Sequence, residues 1–367
     1  MGVALAGLAA LAVAMGIGRF AFTPILPMMR EDAGLSVAAG AWLASANYFG
    51  YLIGALSAIA LPLRPATAIR IGLLAIGVST LAMGLEHDFL AWTLLRALAG
   101  IASAWVLVFV SAWALEQLAA LGRPGLSGVV YAGVGTGVAI AGGACLILMR
   151  IGAGSTAAWL VLGIASLAVT ALLWGVFDKE PSISAAPAPS AQAPKGSFWP
   201  LILCYGIYGF GYIIPATFLP VMAREAIADP GLFGWAWPVF GAAALASTLL
   251  ASRLARYVSH RSIWIASHLL MALGVAMPVV LPGLAGILLA ALLVGGTFVV
   301  ITLAGLQEAR SVAGAQARPL IAAMTSAFAL GQIVGPLSIS LVGGGFERPL
   351  LVAAALLALS ALALIRR

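Results

Sequence analysis

Long apolar stretches, separated by short segments of charge, proline and glycine, make up almost the whole chain. A helix that crosses a hydrocarbon layer of about 30 Å needs about 20 such residues. Only 8% of the 367 residues are charged, whereas about a quarter of the residues in a soluble domain are charged. This composition cannot provide a water-facing surface, so the sequence predicts an all-α membrane protein that crosses the bilayer many times.

Several other classes of protein are excluded by the composition. A net charge of +7 would suit a nucleic-acid partner, but the charged residues are too few to form a basic binding surface. Both cysteines lie in apolar stretches, which excludes a disulfide framework and a cysteine-ligated metal. The sequence contains no Gly-Lys-Ser/Thr phosphate loop, so ATP is not the predicted energy source. We therefore expect no nucleic-acid partner, no metal and no cofactor.

Clusters of charge, proline and glycine divide the chain into twelve predicted spans, of which the fourth covers 89–115 and the tenth covers 284–306. A longer polar segment rich in proline, alanine and serine lies between the sixth and seventh spans and is typical of a flexible linker. The predicted domains are a six-helix bundle over 1–177, a cytoplasmic linker over 178–198 and a second six-helix bundle over 199–367.

Lysine and arginine indicate the orientation, because cytoplasmic loops carry an excess of these residues. Of the 18 basic residues, 12 lie in the linker, the termini and the loops on that side of the membrane, and 4 lie in the opposite loops. The other two, Arg19 and Arg96, lie within spans. The sequence thus predicts a multi-pass protein of the inner (cytoplasmic) membrane with both termini in the cytoplasm.

The two halves of the chain are similar at an offset of 193 residues, which pairs Gly18 with Gly211 and Pro27 with Pro220. An Arg-Glu pair ends both segments, one residue later in the second half. Chance similarity between apolar helices is the alternative, but it does not explain why proline and charge coincide at equivalent positions. Two six-helix halves in the same orientation place a substrate path at their interface, near the bilayer midplane.

These features resemble the major facilitator superfamily over essentially the whole chain. Arg96 and Gly100 look like its Arg-x-x-x-Gly element, and the glycines of residues 133–143 resemble its glycine-rich fifth helix. The loop 254–261 is similar to a loop motif of the superfamily, although an arginine stands where that motif has aspartate. Residues 18–24 (GRFAFTP) are similar to the YbfB/YjiJ branch.

The resemblance implies twelve transmembrane helices in two pseudo-symmetric six-helix bundles, with a monomer that carries a small molecule by alternating access. It also implies coupling to protons. Glycines in the spans are expected to let helix backbones approach closely within the bilayer. The residues of this predicted packing group are Gly100, Gly137, Gly142, Gly143, Gly331, Gly335 and Pro336.

Arg19 is the candidate with the clearest chemistry. Arg30 lies at the predicted outer boundary of the membrane, and Arg19 precedes it in the same helix. At 1.5 Å per residue, Arg19 therefore lies about 16 Å below that boundary. A charge at a helix centre costs about 2.5–3.5 kcal/mol, so the side chain should face protein or a wet cavity. It could hold an anionic substrate, or it could be a structural arginine that neighbouring helices satisfy. Tyr212 occupies the matching position of the second half.

Other polar and aromatic side chains near mid-span are candidates for the same cavity, with Tyr48 and Trp237 among them. Asn47 and Gln332 are amides within spans, where an amide should form a hydrogen bond towards the protein interior. The predicted substrate-binding residues are Arg19, Phe20, Asn47, Tyr131, Tyr208, Tyr212, Trp235 and Gln332.

A second group of charges is predicted to act in coupling or gating. The resemblance links Arg96 to proton coupling or substrate binding, and a structural role between the first and fourth helices is the alternative. Glu116 and Glu308 occupy symmetric positions and are expected to form ion pairs with loop arginines such as Arg123 and Arg318. The full group is Arg96, Glu116, Arg123, Arg256, Arg261, Glu308 and Arg318.

The function indicated by these features is secondary active transport of a small organic solute across the lipid bilayer. The buried arginines favour an anion, whereas the aromatic residues leave open the efflux of neutral or amphipathic compounds or sugars. A membrane-embedded enzyme is disfavoured, because the spans contain no paired carboxylates and no metal-binding histidine motif. We therefore predict no catalytic residue.

Overall fold

The computed structural model describes residues 1–60, 64–178, 198–255, 257–314, 317–341 and 345–365. Those ranges contain twelve long helices and no strand. The helices are α1 (Gly2–Asp32), α2 (Val37–Ala60), α3 (Pro65–Leu85), α4 (Phe89–Ala120), α5 (Ser127–Arg150), α6 (Ser155–Leu173), α7 (Trp199–Ala226), α8 (Ala236–Leu254), α9 (His260–Val280), α10 (Leu284–Ala313), α11 (Ala317–Leu341) and α12 (Glu347–Ile365).

Eleven of the helical segments in the described ranges are long and apolar enough to cross a membrane. The twelfth is α2, which is 24 residues long. All twelve predicted spans are therefore helices in the structure. The ends differ most at α4 and α10, which are 32 and 30 residues long and run past the predicted residues 115 and 306. Each continues until a glycine with positive φ, Gly122 or Gly314, ends the helix.

The helices form two bundles with equivalent packing. In the first bundle α2 packs on α4, α3 on α6, and α1 on α5; in the second, α8 packs on α10, α9 on α12, and α7 on α11. The bundles meet through α5 with α8, α2 with α11, and α1 with α7. The internal repeat is thus a pseudo-twofold arrangement. The predicted linker and domain boundaries stay predictions, because residues 179–197 lie outside the described residues.

Close backbone contacts occur at most of the predicted packing glycines. Gly137 faces the backbone of α1 at Ala12, and a Cβ added there would overlap that carbonyl. Gly143 is a correction, because a Cβ added there would meet no atom of another described helix within 4 Å. The other predicted positions lie as follows: Gly100 against α2 at Asn47, Gly142 against Pro238 of α8, Gly331 and Gly335 against α7, and Pro336 within α11.

Two ends of the molecule are distinguished below. The linker face is the end that contains Gly2, Asp178, Trp199 and Ile365, and the far face is the end that contains Asp32, Ser155, Ala226 and Pro230. Which end faces the cytoplasm is a prediction of the positive-inside rule.

Candidate functional site

The backbone of α1 changes its winding where Arg19 lies. From Ala12 to Arg19 the turns are wide π-type turns, and the N–H of Phe20 donates to the carbonyl of Met15 at 3.0 Å. Regular α-helix resumes only at Phe22. Because Pro24 has no N–H, it cannot donate the backbone hydrogen bond of a regular α-helix. The α-helical hydrogen-bond pattern is therefore interrupted in this stretch. Such wide turns are frequent at functional sites, and here one leaves backbone carbonyls free beside the arginine.

Arg96 of α4 binds these free carbonyls. Its Nη1 donates to Gly18 O at 3.3 Å and its Nη2 donates to Arg19 O at 3.1 Å. Asn47 of α2 also connects these helices, because its amide donates to Gly18 O at 3.2 Å and to Arg96 O at 2.9 Å. The guanidinium also lies over the ring of Phe22. This geometry fits the structural alternative for Arg96, and it places Asn47 beside the site as part of its support.

Arg19 is buried, with 2% of its surface exposed, at the interface between the bundles. Its Nη2 donates to Oε1 of Gln332 on α11, and Nε2 of Gln332 donates to the hydroxyl of Tyr212 on α7. The Nε and Nη1 groups of Arg19 have no hydrogen-bond partner among the described residues. The polar chain therefore crosses from one bundle to the other and leaves two guanidinium donors unused.

Aromatic rings supply the remaining surroundings of this cation. The guanidinium carbon lies 3.8 Å from the ring centre of Tyr51, 5.3 Å from that of Tyr48 and 5.4 Å from that of Phe20. Such contacts are attractive but carry no counter-charge. Four ion pairs occur in the described ranges, and neither Arg19 nor Arg96 takes part in any of them. The site thus holds a buried positive charge that no carboxylate of the described residues neutralises.

A group of stacked rings adjoins Arg19 on the second bundle. Tyr212 lies nearly parallel to Phe298 and to Phe328, with 5.7 Å between ring centres in each case. Tyr208 stacks on Tyr212 at 5.1 Å and donates to Phe298 O at 2.5 Å. Phe20 reaches across from α1 to Phe298 and to Trp237. We call this set the ring cluster: Phe20, Tyr208, Tyr212, Trp237, Phe298 and Phe328.

The structure brings most of the predicted binding residues together. Arg19, Phe20, Tyr208, Tyr212 and Gln332 form one buried unit. Two predicted residues lie elsewhere. Trp235 is 47% exposed just before α8, because the helix turns Trp237 inward in its place, and Tyr131 lines a separate cavity nearer the linker face.

Three residues of the site were not predicted, namely Tyr51, Phe298 and Phe328. Tyr51 lies four residues after Asn47, so the helical repeat of α2 could have placed both on one face. Phe298 and Phe328 are ordinary apolar residues in apolar helices, and the sequence contains no signal that separates them from packing residues.

Ion pairs join the two bundles at the far face. Arg30 of α1 pairs with Glu225 of α7 at 2.8 Å, and Arg224 of α7 pairs with Glu31 of α1 at 2.7 Å. Deeper in the molecule, the hydroxyl of Thr23 on α1 donates to the carbonyl of Ala216 on α7 at 2.8 Å, which also joins the two bundles. The repeated Arg-Glu pairs of the sequence are thus reciprocal partners, a role that was not predicted for them.

In the described ranges, no ion pair joins the two bundles at the linker face. A cavity of about 300 Å³ lies between the bundles there, lined by residues of α4, α5, α8, α9 and α10 that include Tyr131, His260 and Arg310. In the described residues, therefore, ion pairs link the bundles at the far face, where a cavity of about 360 Å³ also lies between them, and a cavity of about 300 Å³ separates them at the linker face.

The predicted latch at the linker face forms only in part. Glu308 lies 3.8 Å from Arg261, which also donates to Leu364 O at 2.9 Å. Glu116 and Arg123 are both exposed and no ion pair joins them in the described ranges, so this predicted pair is not formed in this structure; exposed charges gain little from pairing. Arg256 and the side chain of Arg318 lie outside the described residues.

Comparisons with known proteins agree with the fold. The family described as "Uncharacterised MFS-type transporter YbfB" matches residues 11–365. No curated protein matches the chain. Among solved structures, the crystal structure of a mutant of the nucleoside transporter NupG is similar with a TM-score of 0.72, covering 99% of each chain at 14% identity. A likeness at this identity concerns the fold alone.

Proposed function

We propose that this chain, which belongs to the YbfB-type family of MFS transporters and is therefore a secondary transporter, carries a small organic anion whose carboxylate binds Arg19. The observation that carries the proposal is the buried guanidinium with two unused donors and no carboxylate partner among the described residues. An uncompensated buried charge is costly. A bound carboxylate would neutralise it and accept two parallel hydrogen bonds.

The position of Arg19 supports a transport site. It lies where both bundles meet, near the middle of α1, and its partners Gln332 and Tyr212 belong to the opposite bundle. Alternating access needs a site of this kind, because rocking of the bundles then exposes the same residues to either side in turn.

The two faces support an assignment of the conformational state. With both termini in the cytoplasm, as the positive-inside rule predicts, the far face is external and is bridged by the pairs Arg30–Glu225 and Arg224–Glu31. The cavity at the linker face is then cytoplasmic. Opening to the outside would break both ion pairs. Coupling to protons is implied by the superfamily and is included in the test.

The ring cluster favours a second candidate, a neutral planar solute. Stacked rings at 5–6 Å suit a flat ligand, and the fold is shared with a nucleoside transporter. Such a solute would stack on the rings and leave Arg19 bonded to Gln332. The two candidates differ in whether transport requires the charge of Arg19.

Uptake into proteoliposomes separates the candidates. The probes are benzoate, which combines a carboxylate with a flat ring, neutral uridine and glucose, and the cation tetraphenylphosphonium, each with and without a pH gradient. We expect benzoate uptake that Arg19→Gln abolishes and Arg64→Gln, at an exposed position, leaves unchanged. Benzoate uptake that survives Arg19→Gln, or uptake of uridine alone, contradicts the anion proposal.

A further inference from the structure

We propose that the hydroxyl of Tyr212 donates a hydrogen bond to the transported anion, and that the substrate is an acid with a hydrogen-bond acceptor beside its carboxylate, such as a 2-oxo acid. This inference rests on the proposed function, because it assumes that a carboxylate binds Arg19. It adds a second point of recognition, and with it a class of acid that the site selects.

The chemistry of the side chains fixes the direction of the hydrogen bonds that run from Arg19 to Tyr212. A guanidinium can only donate, so the atom of Gln332 that faces Arg19 is the carbonyl oxygen Oε1. The NH2 group of the same amide then faces Tyr212. Because that group is a donor, the hydroxyl oxygen of Tyr212 is the acceptor. The hydrogen of this hydroxyl must therefore point away from Gln332.

The hydroxyl hydrogen of Tyr212 has no acceptor among the described residues. Tyr212 is buried, with 2% of its surface exposed, and a buried tyrosine hydroxyl usually finds a partner. The neighbouring Tyr208 provides the contrast, because its hydroxyl donates to Phe298 O. A chain of hydrogen bonds that starts from a cation polarises its later members, so the hydroxyl of Tyr212 is also the stronger donor.

A carboxylate can bind Arg19 while Gln332 keeps its bond to the same guanidinium. The Nη2 atom carries two hydrogen atoms, and Gln332 accepts one of them. The other forms a two-point site for a carboxylate together with Nε or Nη1, neither of which has a partner among the described residues. Since the guanidinium and the hydroxyl of Tyr212 both bind one amide group, an acceptor next to the carboxylate can reach that hydroxyl.

The same site should reject amino acids. The ammonium group of an amino acid is attached next to its carboxylate, so it would lie beside the guanidinium of Arg19 and the hydroxyl hydrogen of Tyr212. Every carboxylate side chain in the described ranges lies in a loop or near a helix end, whereas Arg19 lies near the middle of α1. An ammonium group would therefore meet a positive charge with no carboxylate to balance it.

The test measures the binding of three acids to the purified full-length protein. Benzoylformate, phenylacetate and phenylglycine share a phenyl ring and a carboxylate, and they differ only at the carbon between them, which is a carbonyl, a methylene or an ammonium-bearing carbon. One added hydrogen bond corresponds to a factor of about ten. We expect benzoylformate to bind about tenfold more tightly than phenylacetate, and phenylglycine to bind at least about tenfold more weakly than phenylacetate.

Two tyrosine variants then assign the effect to one hydroxyl. Tyr212→Phe keeps the ring that stacks on Phe298 and Phe328 and removes only the hydroxyl, so the ratio of the benzoylformate and phenylacetate affinities should fall to about one. Tyr208→Phe is the matched control, because the hydroxyl of Tyr208 already donates to Phe298 O, and its ratio should stay near tenfold. Each ratio compares two acids on one variant, so a general loss of folded protein cancels.

The outcomes distinguish this inference from the proposed function. Equal affinities of the wild type for benzoylformate and phenylacetate overturn the inference, as does a tenfold ratio that Tyr212→Phe retains. Tight binding of phenylglycine also overturns it, and would indicate that an unpartnered acceptor such as Oδ1 of Asn47 faces the ligand. In each of these cases the proposed function stands, provided that Arg19→Gln loses both acids. If Arg19→Gln binds phenylacetate as tightly as the wild type does, the proposed function is overturned and the inference with it.

Discussion

Arg30 at the end of α1 and Glu225 at the end of α7 form an ion pair 2.8 Å long that joins the two bundles. The pseudo-twofold axis produces a second pair from the neighbouring residues, Glu31 and Arg224, at 2.7 Å. Each bundle thus supplies one cation and one anion to the far face. This reciprocity links the internal repeat of the sequence to the contact between the two bundles.

Breaking this double pair should shift the protein towards a state that is open at the far face. The residues are partly exposed, so each pair contributes about 0.2–1 kcal/mol, and Arg30→Gln alone should have a small effect. Arg30→Gln combined with Arg224→Gln should lengthen the distance between spin labels attached to cysteines at positions 33 and 228, measured by double electron–electron resonance.

A charge swap provides the matched control for that prediction. Arg30→Glu alone places a third carboxylate beside Glu31 and Glu225 and should open the far face. Adding Glu225→Arg should restore the wild-type distance. If the swap opens the far face as much as the single variant does, the ion pairs do not hold it closed.

Arg96 and Arg19 should respond differently to loss of charge. Arg96→Gln leaves the carbonyl of Arg19 without its donor and removes one of the two donors to Gly18 O, which should lower stability by about 2–3 kcal/mol. Arg19→Gln removes an uncompensated charge and should leave the melting temperature unchanged or higher. Thermal unfolding of both purified variants checks this. An Arg96→Gln protein that melts like the wild type but loses dependence on a pH gradient would assign Arg96 to coupling instead.

Two glycines of α5 form a matched pair for testing helix packing. Gly137→Ala would place a methyl group into the backbone of α1 at Ala12, so we expect a clear fall in melting temperature. Gly143→Ala meets open space and should stabilise the helix by about 0.5–1 kcal/mol. Equal melting temperatures for the two variants would mean that α1 and α5 do not approach as closely as described.

Much of the architecture could be predicted because the bilayer imposes it. Span number and span length follow from apolar length, and the depth of Arg19 follows from the helical rise. The ends of α4 and α10 were harder to predict, because helices can continue past the apolar stretch until a glycine such as Gly122 stops them. The charge repeat at Arg30 was visible in the sequence, but its pairing across the bundles required the tertiary structure.

The details of the site depended on helix rotation and on local winding. Trp235 and Trp237 are two residues apart and, at about 100° per residue, point to nearly opposite sides of a helix, so the sequence alone does not show which of them faces the ring cluster. The wide turns before Phe20 decide which carbonyls Arg96 can reach, and apolar periodicity contains no information about them. Pro24 was the one local indication that regular helix would be interrupted in this stretch.

Binding of benzoate to the purified protein tests the central claim most directly. Titration of the wild type, Arg19→Lys and Arg19→Gln with benzoate measures the effect of the charge on binding. This measurement does not depend on transport or on the orientation of the protein in a vesicle. We predict that Arg19→Gln loses affinity by about 100-fold or more, because two charge-assisted hydrogen bonds disappear, and that Arg19→Lys is intermediate because it binds at one point. Equal affinity of Arg19→Gln and wild type for benzoate would contradict the account.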